Sequence, residues 1–385
     1  MIRHFELWVF VCLFFALTAS PARSGDVPEA LTNFEGAKLV IGKKNFTSGS
    51  CSPAAANTLC DPYGVAFASG LLYIDDSNWS RVLGFVKLPK KSGAKAKFVL
   101  GQTKFSGTTR ATTQSALNFP TAVVIAGSKL LVNDFSNSRV LIWNTLPKKS
   151  DTPASVVVGQ ADFTSMEQTT SQTGLTLPEA GLAVAGGKLF VSDRENHRVM
   201  IWNTIPTING APADVVVGQP DFTSSGNHTS QTVFNEPEGI WTDGTKLVVA
   251  DFLNSRVMIW NTVPTTNGAP ADVVVGQADF NSGDLPNPPT AQSLNRPFGV
   301  VSDGTRLFVA DTFNNRVLVY SPFPTTNNPT ASFVIGQADF THGDSNAGHL
   351  SPSAQTLSNP YGLFISGSQL FVSDFNNSRV LIFGI

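Results

Sequence analysis

Short apolar segments recur along this chain, separated by polar connections rich in glycine, proline and asparagine. One unit contains four such segments, at residues 182–185, 188–192, 198–202 and 215–217. Their length and their content of Val, Ile and Phe are typical of β-strands, and no segment of the repeating part has the i, i+3, i+4 spacing of an amphipathic helix. The pattern therefore predicts an all-β protein with four short strands in each unit.

The unit occurs six times, with two motifs in phase. A glycine follows the last apolar segment of each unit, and an aspartate precedes an Arg-Val step by five residues in each unit. The glycines are Gly42, Gly101, Gly159, Gly218, Gly276 and Gly336, and the arginines are Arg81, Arg139, Arg198, Arg256, Arg316 and Arg379. A fixed period of this length indicates a closed or stacked repeat architecture.

Six units of four strands predict a six-bladed β-propeller of four-stranded antiparallel blades. Segment 198–202 has apolar side chains on both faces of the expected strand, as is typical of a strand buried between two blades. Residues 38–42 resemble a fourth strand that lacks the preceding three, whereas 380–383 resemble a third strand that lacks a fourth. We therefore expect residues 38–42 to complete the last blade by pairing antiparallel with 379–384, which would hide open sheet edges.

The repeated residues resemble the NHL repeat, whose members form six-bladed propellers. The best match is Pro297-Phe298-Gly299-Val300, followed by Leu307-Phe308-Val309-Ala310-Asp311 and Asn314-Asn315-Arg316-Val317. The resemblance covers roughly residues 38–385. Blades two and three depart from it with Ala122 and Ala180 where glycine is usual, and blade one has Trp79 in place of the usual asparagine.

The first residues have the features of a secretory signal. Arg3 and His4 precede an apolar run from Leu7 to Leu17, and small residues follow up to Ser24. The run is shorter than a bilayer span. We expect a signal peptide at 1–24, a linker at 25–37 and the propeller at 38–385, with no transmembrane segment after cleavage. The protein would then be secreted, periplasmic or at the cell surface.

Composition narrows the possible partners. The whole chain has 26 basic and 28 acidic residues, and the charges are sparse and mixed. The largest basic cluster is interpreted as a solvated loop rather than as a phosphate-binding surface, so we expect no nucleic-acid partner. It consists of Lys87, Lys90, Lys91, Lys95 and Lys97. Cys51 and Cys60 are the cysteines left after signal cleavage, and in an oxidising compartment they are expected to form a disulfide.

An element present in every blade is best interpreted as structural. The Asp-to-Arg pairs meet that criterion, with Asp expected to cap the following turn and Arg to bridge to nearby carbonyls or carboxylates. The pairs are Asp76 and Arg81, Asp134 and Arg139, Asp193 and Arg198, Asp251 and Arg256, Asp311 and Arg316, and Asp374 and Arg379. The same interpretation applies to the repeated Gly-Gln steps, in which Lys43 replaces the glutamine of the first copy.

Function is expected where the repeats differ. The residue after the proline that opens each inner strand varies most, and these six side chains should meet at the mouth of the central channel. They are Tyr63, Thr121, Glu179, Glu238, Phe298 and Tyr361. Carboxylates on one side and aromatic rings on the other could bind a cation or an amine-bearing ligand. The alternative interpretation is a solvated rim without a ligand.

Two classes of function remain open on the sequence. The first is a non-catalytic binding or interaction module, with a protein, glycan or small ligand as partner and no cofactor. The alternative is a metal-dependent lyase or lactonase similar to the amidating-lyase or gluconolactonase propellers. Glu179 and Glu238 are weak candidates for a divalent cation in that case. His228, His342 and His349 lie in long loops and could form only an irregular zinc site, and His197 is expected to be solvated.

Overall fold

Residues 31–385 are described by the computed structural model, and their regular structure is almost entirely β-strand. The expected signal peptide at 1–24 and the first part of the expected linker lie outside these residues. The strands form six separate four-stranded sheets. Each sheet is one blade, and each connection within a blade is antiparallel, as the sequence predicts.

The strands are numbered along the chain and grouped by blade. The first strand is β1 (Leu39–Ile41), and blade one contains β2 (Val65–Ala68), β3 (Leu71–Asp76), β4 (Arg81–Phe85) and β5 (Phe98–Leu100). Blades two and three contain β6 (Pro120–Ala126), β7 (Lys129–Asp134), β8 (Arg139–Trp143), β9 (Val156–Val158), β10 (Leu182–Ala185), β11 (Lys188–Asp193), β12 (Arg198–Trp202) and β13 (Val215–Val217). Blades four to six contain β14 (Pro237–Thr242), β15 (Leu247–Asp251), β16 (Arg256–Trp260), β17 (Val273–Val275), β18 (Val300–Ser302), β19 (Leu307–Asp311), β20 (Arg316–Tyr320), β21 (Phe333–Ile335), β22 (Pro360–Ser366), β23 (Gln369–Asp374) and β24 (Arg379–Gly384).

The ring closes through β1, which pairs antiparallel with β24. The partners are Leu39 with Ile382, Val40 with Leu381, and Ile41 with Val380. This confirms the predicted closure, because β1 takes the place of the fourth strand in blade six. Residues 31–37 also pack on the ring, since Asn33 Oδ1 accepts a hydrogen bond from Val334 N at 3.0 Å. The described part of the expected linker therefore also contacts the ring, next to the strand that closes it.

The hydrophobic core lies between neighbouring blades. One cluster joins Tyr73 and Phe98 of blade one to Val132 and Trp143 of blade two, and all four are at most 1% exposed. Five further clusters lie between the other blades. A blade alone would expose both of its apolar faces, so its stability depends on both neighbours.

One face of the ring carries most of the irregular structure, and we call it the loop face. Here the long inter-blade loops arrive, the inner strands begin, and a short 3₁₀ turn joins the second and third strands of each blade. These turns are Ser77–Trp79, Phe135–Asn137, Arg194–Asn196, Phe252–Asn254, Thr312–Asn314 and Phe375–Asn377, and a further one, Ser345–Gly348, lies in a long loop. Within 31–385, no helix has the length and apolar character needed to cross a membrane.

Candidate functional site

A buried ion pair holds the loop face of every blade. The arginine Nε lies 2.6 to 2.7 Å from the aspartate Oδ2 in all six pairs, and both side chains are fully buried. In blade four, Arg256 also donates from Nη2 to the carbonyls of Ser230 and Val233, at 2.7 and 3.1 Å. Arginine therefore ties the third strand to the long loop that precedes its own blade.

The aspartate does not cap the turn that follows it, contrary to our expectation from the sequence. In blade four its Oδ1 instead accepts the backbone N–H of Asn235, at 2.7 Å, from the loop before the blade. Its Oδ2 accepts from Asn254 at 3.0 Å in addition to Arg256. The carboxylate is thus shared between the loop, the turn and the third strand.

The glutamine of each Gly-Gln step is also structural. Gln277 donates from Nε2 to the carbonyls of Ser255 and Asp284, at 3.0 and 2.9 Å. Lys43, which replaces this glutamine, donates from Nζ to the carbonyls of Ser50 and Leu59. Burial lowers the pKa of Lys43 to about 8, because its charge is held mainly by neutral carbonyls.

The six variable residues lie together at the start of the inner strands, around the mouth of the channel. The ring is tight at this level. A side chain at Gly299 would collide with the carbonyl of Tyr361, and one at Gly362 would collide with the carbonyl of Tyr63. In blade three Gly181 takes this position, since Leu182 pairs with Val191 as Val300 pairs with Val309. The sequence alignment of Ala180 with that glycine is therefore wrong.

Ala180 is an extra residue that bulges at the mouth. Its φ is 23°, a value that L residues rarely adopt. Glu179 precedes it and Gly181 follows it in the narrow ring. The insertion distinguishes blade three from the other five at the same level, and it lies in the half of the mouth that carries the acidic residues.

Aromatic rings fill one half of the mouth. Tyr361 stacks on Phe298 with centroids 4.2 Å apart and on Phe375 at 4.3 Å. Tyr63 contacts Tyr361 edge-on at 4.8 Å, and its ring also meets Phe119 at 5.8 Å. Tyr63 and Phe298 are only 6% and 3% exposed, so they form the floor of a packed aromatic layer rather than an open pocket.

Arg194 occupies the other half of the mouth. This residue begins the turn of blade three, and its guanidinium contacts four carboxylates. Nε lies 2.8 Å from Glu238 and 3.2 Å from Glu179, Nη1 lies 2.5 Å from Glu195, and Nη2 contacts Glu236. The cation that the acidic pair was expected to take from solution is therefore supplied by the chain itself, which corrects the sequence interpretation of Glu179 and Glu238.

Burial controls the protonation of this cluster. It raises the pKa of Glu238 well above the usual carboxyl value, and the neighbouring charge of Glu179 raises it further. The pKa of Glu179 is also raised by burial, against the opposing charge of Arg194. One oxygen of Glu238 and the hydroxyl of Thr121 have no hydrogen-bond partner among the described residues, although both side chains are about 1% exposed.

His197 is not a solvated turn residue, contrary to the sequence expectation. It follows the turn of blade three with a φ of 53°, is half-buried, and accepts the backbone N–H of Glu236 at Nδ1, 3.1 Å away. Serine does the same in other blades, as Ser255 Oγ accepts from Arg296 N at 3.3 Å. His197 therefore links blade three to blade four, and burial lowers its pKa.

The other histidines do not assemble into a metal site. Within residues 31–385, one group of three or more His, Cys, Asp or Glu side chains has ligand atoms close enough to share an ion, and it consists of Cys51, Cys60 and Asp61. The two cysteines form a disulfide, as predicted, so their thiolates are already used. His228, His342 and His349 do not form such a group among these residues. Glu179 and Glu238 do lie together, but both face Nε of Arg194.

Sequence reasoning missed Arg194. It recognised the variation after the proline of each blade but not the variation at the first residue of each turn, where Ser77, Phe135, Arg194, Phe252, Thr312 and Phe375 lie in equivalent positions. Members of this second ring contact the predicted one, as Phe375 stacks on Tyr361 and Arg194 pairs with Glu238. The repeat register alone would have found this second ring, because each member directly follows the constant aspartate.

Comparison with known proteins supports the fold only. No family model matches the chain, and no curated protein matches its sequence. The structure is similar to the PQQ-bound aldose sugar dehydrogenase from Streptomyces coelicolor, with 14% identity, a TM-score of 0.50, and coverage of 90% of this chain and 99% of that one. It also resembles virginiamycin B lyase from Staphylococcus aureus, with 12% identity, a TM-score of 0.42, and coverage of 86% and 98%. A structure of the nidogen–laminin complex has 14% identity, a TM-score of 0.39, and coverage of 71% and 83%.

Proposed function

We propose that this chain is a binding module, built on a propeller of the NHL type, that recognises a partner through the channel mouth and the surrounding loop face. The observation that carries the proposal is the convergence of variable residues on a repeated frame. The ion pairs and glutamine contacts recur from blade to blade, whereas the two rings of side chains at the mouth vary in their chemistry around the ring. Architecture alone does not require this difference, since the frame needs only the constant residues.

The chemistry of the mouth favours a partner with a cationic group. Four carboxylates face a single guanidinium, so the cluster keeps negative charge even after one carboxyl is protonated. Glu195 and Glu236 form its outer layer, with side chains 37% and 18% exposed. A partner carrying a lysine, an arginine or another amine would meet these two first.

The adjacent aromatic residues suit the same partner. Phe313 is 41% exposed, and the guanidinium of Arg296 lies 4.8 Å from its ring centroid. A cation already rests on an aromatic face at this surface, and such contacts contribute about 0.5–1 kcal/mol at exposed sites. The partner's cation would thus be held between carboxylates and rings, and the proposal requires no metal ion or cofactor.

Secretion is part of the proposal. It is supported by the signal-like segment at the start of the sequence and by the disulfide between Cys51 and Cys60, a bond that persists in oxidising compartments. In that setting the partner would be an extracellular or envelope protein, a glycan-bearing protein, or a small amine. Localisation of the tagged protein after expression in its source cell would test this point directly.

A peptide titration tests the binding proposal. We expect an octalysine peptide to bind by calorimetry at low salt and an octaglutamate peptide not to bind. The double variant Glu195→Gln, Glu236→Gln should bind the octalysine peptide about tenfold more weakly, because it lacks the two outer negative charges. Glu167→Gln changes an exposed acid that does not belong to the Arg194 cluster, and it serves as the matched control. An equal response of both variants, or no binding of the lysine peptide to the parent chain, would overturn the proposal.

A further inference from the structure

A second feature of the propeller lies on its axis, below the mouth. The inner strands of all six blades surround a cavity of about 340 Å³. Tyr63 and Phe298 line its inner end, where the aromatic layer closes the channel towards the loop face. Ala68 and Ile365 line its outer end and are half-buried, so the cavity reaches the surface on the face opposite the loops.

The side chains that line this cavity are mainly apolar, and none of those from residues 31–385 is ionic. Val65, Ile125, Val184, Trp241 and Leu363 are typical of the lining. Such a wall excludes a charged ligand, since desolvation of an unpaired charge is costly. Its interior would favour a neutral molecule with a large apolar part.

The hydroxyl groups of the lining differ in whether they already have a hydrogen-bond partner. Thr242 Oγ1 donates to the carbonyl of Lys246, and Ser302 Oγ donates to that of Arg306, both at 2.6 Å. Thr121 lies at the inner end, and its hydroxyl has no partner among the described residues. An unpaired buried hydroxyl carries a free-energy cost that a ligand could remove.

The volume limits the size of the occupant. A dry apolar cavity of about 150 Å³ holds one benzene ring, and ligand pockets in general begin at about 300 Å³. The axial cavity is therefore large enough for two fused rings or a branched chain of similar bulk. It is too small for most cofactors.

We propose that the axial cavity is a binding site for a small, neutral and mainly apolar molecule. The molecule enters from the face opposite the loops and places a single hydrogen-bonding group at the hydroxyl of Thr121. The site is separate from the charged half of the mouth, because neither Arg194 nor any of its four carboxylate partners lines the cavity. Failure of one proposal therefore leaves the other standing.

The test uses 2-naphthol as the probe and the full chain as the protein. We expect saturable binding at one site by calorimetry, and no binding of 2-naphthoate, which has the same rings and a negative charge. Ala68→Phe should weaken 2-naphthol binding at least tenfold, since residue 68 lines the outer end. Ala126→Phe changes the equivalent, half-buried residue of blade two, which does not line the cavity, and should bind as the parent chain does.

Thr121→Val tests the orientation. We expect the variant to bind 2-naphthol roughly fivefold more weakly, which corresponds to the loss of one hydrogen bond. Its affinity for naphthalene should stay the same. Melting temperatures of all three variants would verify that they fold. The proposal is overturned if the parent chain shows no saturable binding, or if Ala68→Phe and Ala126→Phe bind 2-naphthol alike. An equal effect of Thr121→Val on both compounds would overturn the assigned orientation.

Discussion

The guanidinium of Arg194 donates from Nε to Oε1 of Glu238 across 2.8 Å, and this contact joins the turn of blade three to the inner strand of blade four. Through this contact the cation of one blade neutralises an acid of the next blade at the mouth. The contact also explains how two buried carboxylates can lie in one half of the ring. Its energetic role can be measured by removing the cation.

Arg194→Met is expected to lower the stability of the protein by about 3 kcal/mol at pH 8, because it leaves buried carboxylates without their partner. The loss should be smaller at pH 5. Glu238 has a raised pKa in the folded state, so its protonated form supports stability at low pH and this support disappears as pH rises through that pKa. Urea unfolding at both pH values measures the difference.

Arg306→Met provides the control for that experiment. Arg306 forms an ion pair with Asp303 at 2.7 Å on the surface, and such pairs contribute about 0–1 kcal/mol. Its effect should be small at both pH values. A loss for Arg194→Met that is independent of pH would contradict the proposed charge balance.

His197→Ser is expected to remove a pH dependence while keeping the bond between blades. Serine accepts the equivalent N–H elsewhere in the ring. The folded pKa of His197 is lowered, so the unfolded chain binds more protons, and the contribution of His197 to stability is complete above pH about 6.5 and is lost as pH falls below it. The parent chain should therefore lose more stability than the variant between pH 8 and 5.

The measurement is the difference in the free energy of unfolding between the parent chain and the His197→Ser variant at each pH. Titration of the buried aspartates affects both proteins equally and cancels in this difference. At pH 8 the two proteins should agree to within about 1 kcal/mol. If the difference between them does not change from pH 8 to pH 5, the assigned role of His197 is incorrect.

Replacing Cys51 and Cys60 together by serine is expected to cost roughly 2–3 kcal/mol, the loop-entropy value for a bond closing a short loop. The disulfide lies at the seam of the ring, since Cys51 Sγ is 3.3 Å from Ser378 Oγ of blade six. Thermal unfolding with and without reductant measures the cost. Reductant should affect the parent chain and not the double serine variant.

A chain that begins after residue 45 should melt about 5 °C lower than one that begins at residue 31. Val40 and Ile41 are almost fully buried in the seam and contribute about 2 kcal/mol each, and in a chain of this length each kcal/mol corresponds to about 1.3 °C. Calorimetry of both chains gives the comparison. Equal melting temperatures would mean that β1 does not hold the ring.

The architecture was predictable because it repeats. The phase of the glycine and Arg-Val motifs gave the number of blades, and the odd fourth-type segment at 38–42 gave the closure that β1 and β24 form. The disulfide followed from two cysteines in one loop. Each of these features depends on contacts that are local or that recur in all blades.

The site was less predictable because it depends on contacts between different blades. Arg194 and Glu238 are 44 residues apart, and no spacing in the sequence pairs them. The bulge at Ala180 is a single insertion that hydrophobic patterning does not detect, so the alignment placed the glycine one residue early. Burial of Tyr63 and Phe298 follows from the narrow ring, which only the packed structure defines.

The seam between β1 and β24 has a consequence for the order of folding. Its partners are roughly 340 residues apart, whereas the strands within a blade are joined by tens of residues at most. Chain entropy makes this contact costlier to form than a contact across about 20 residues by roughly 2.5 kcal/mol. The seam should be the last ladder to form and the first to open. Hydrogen exchange of the Lys38 amide, which donates to the carbonyl of Ile382 across the seam at 2.7 Å, would therefore report on an open ring before any other blade unravels.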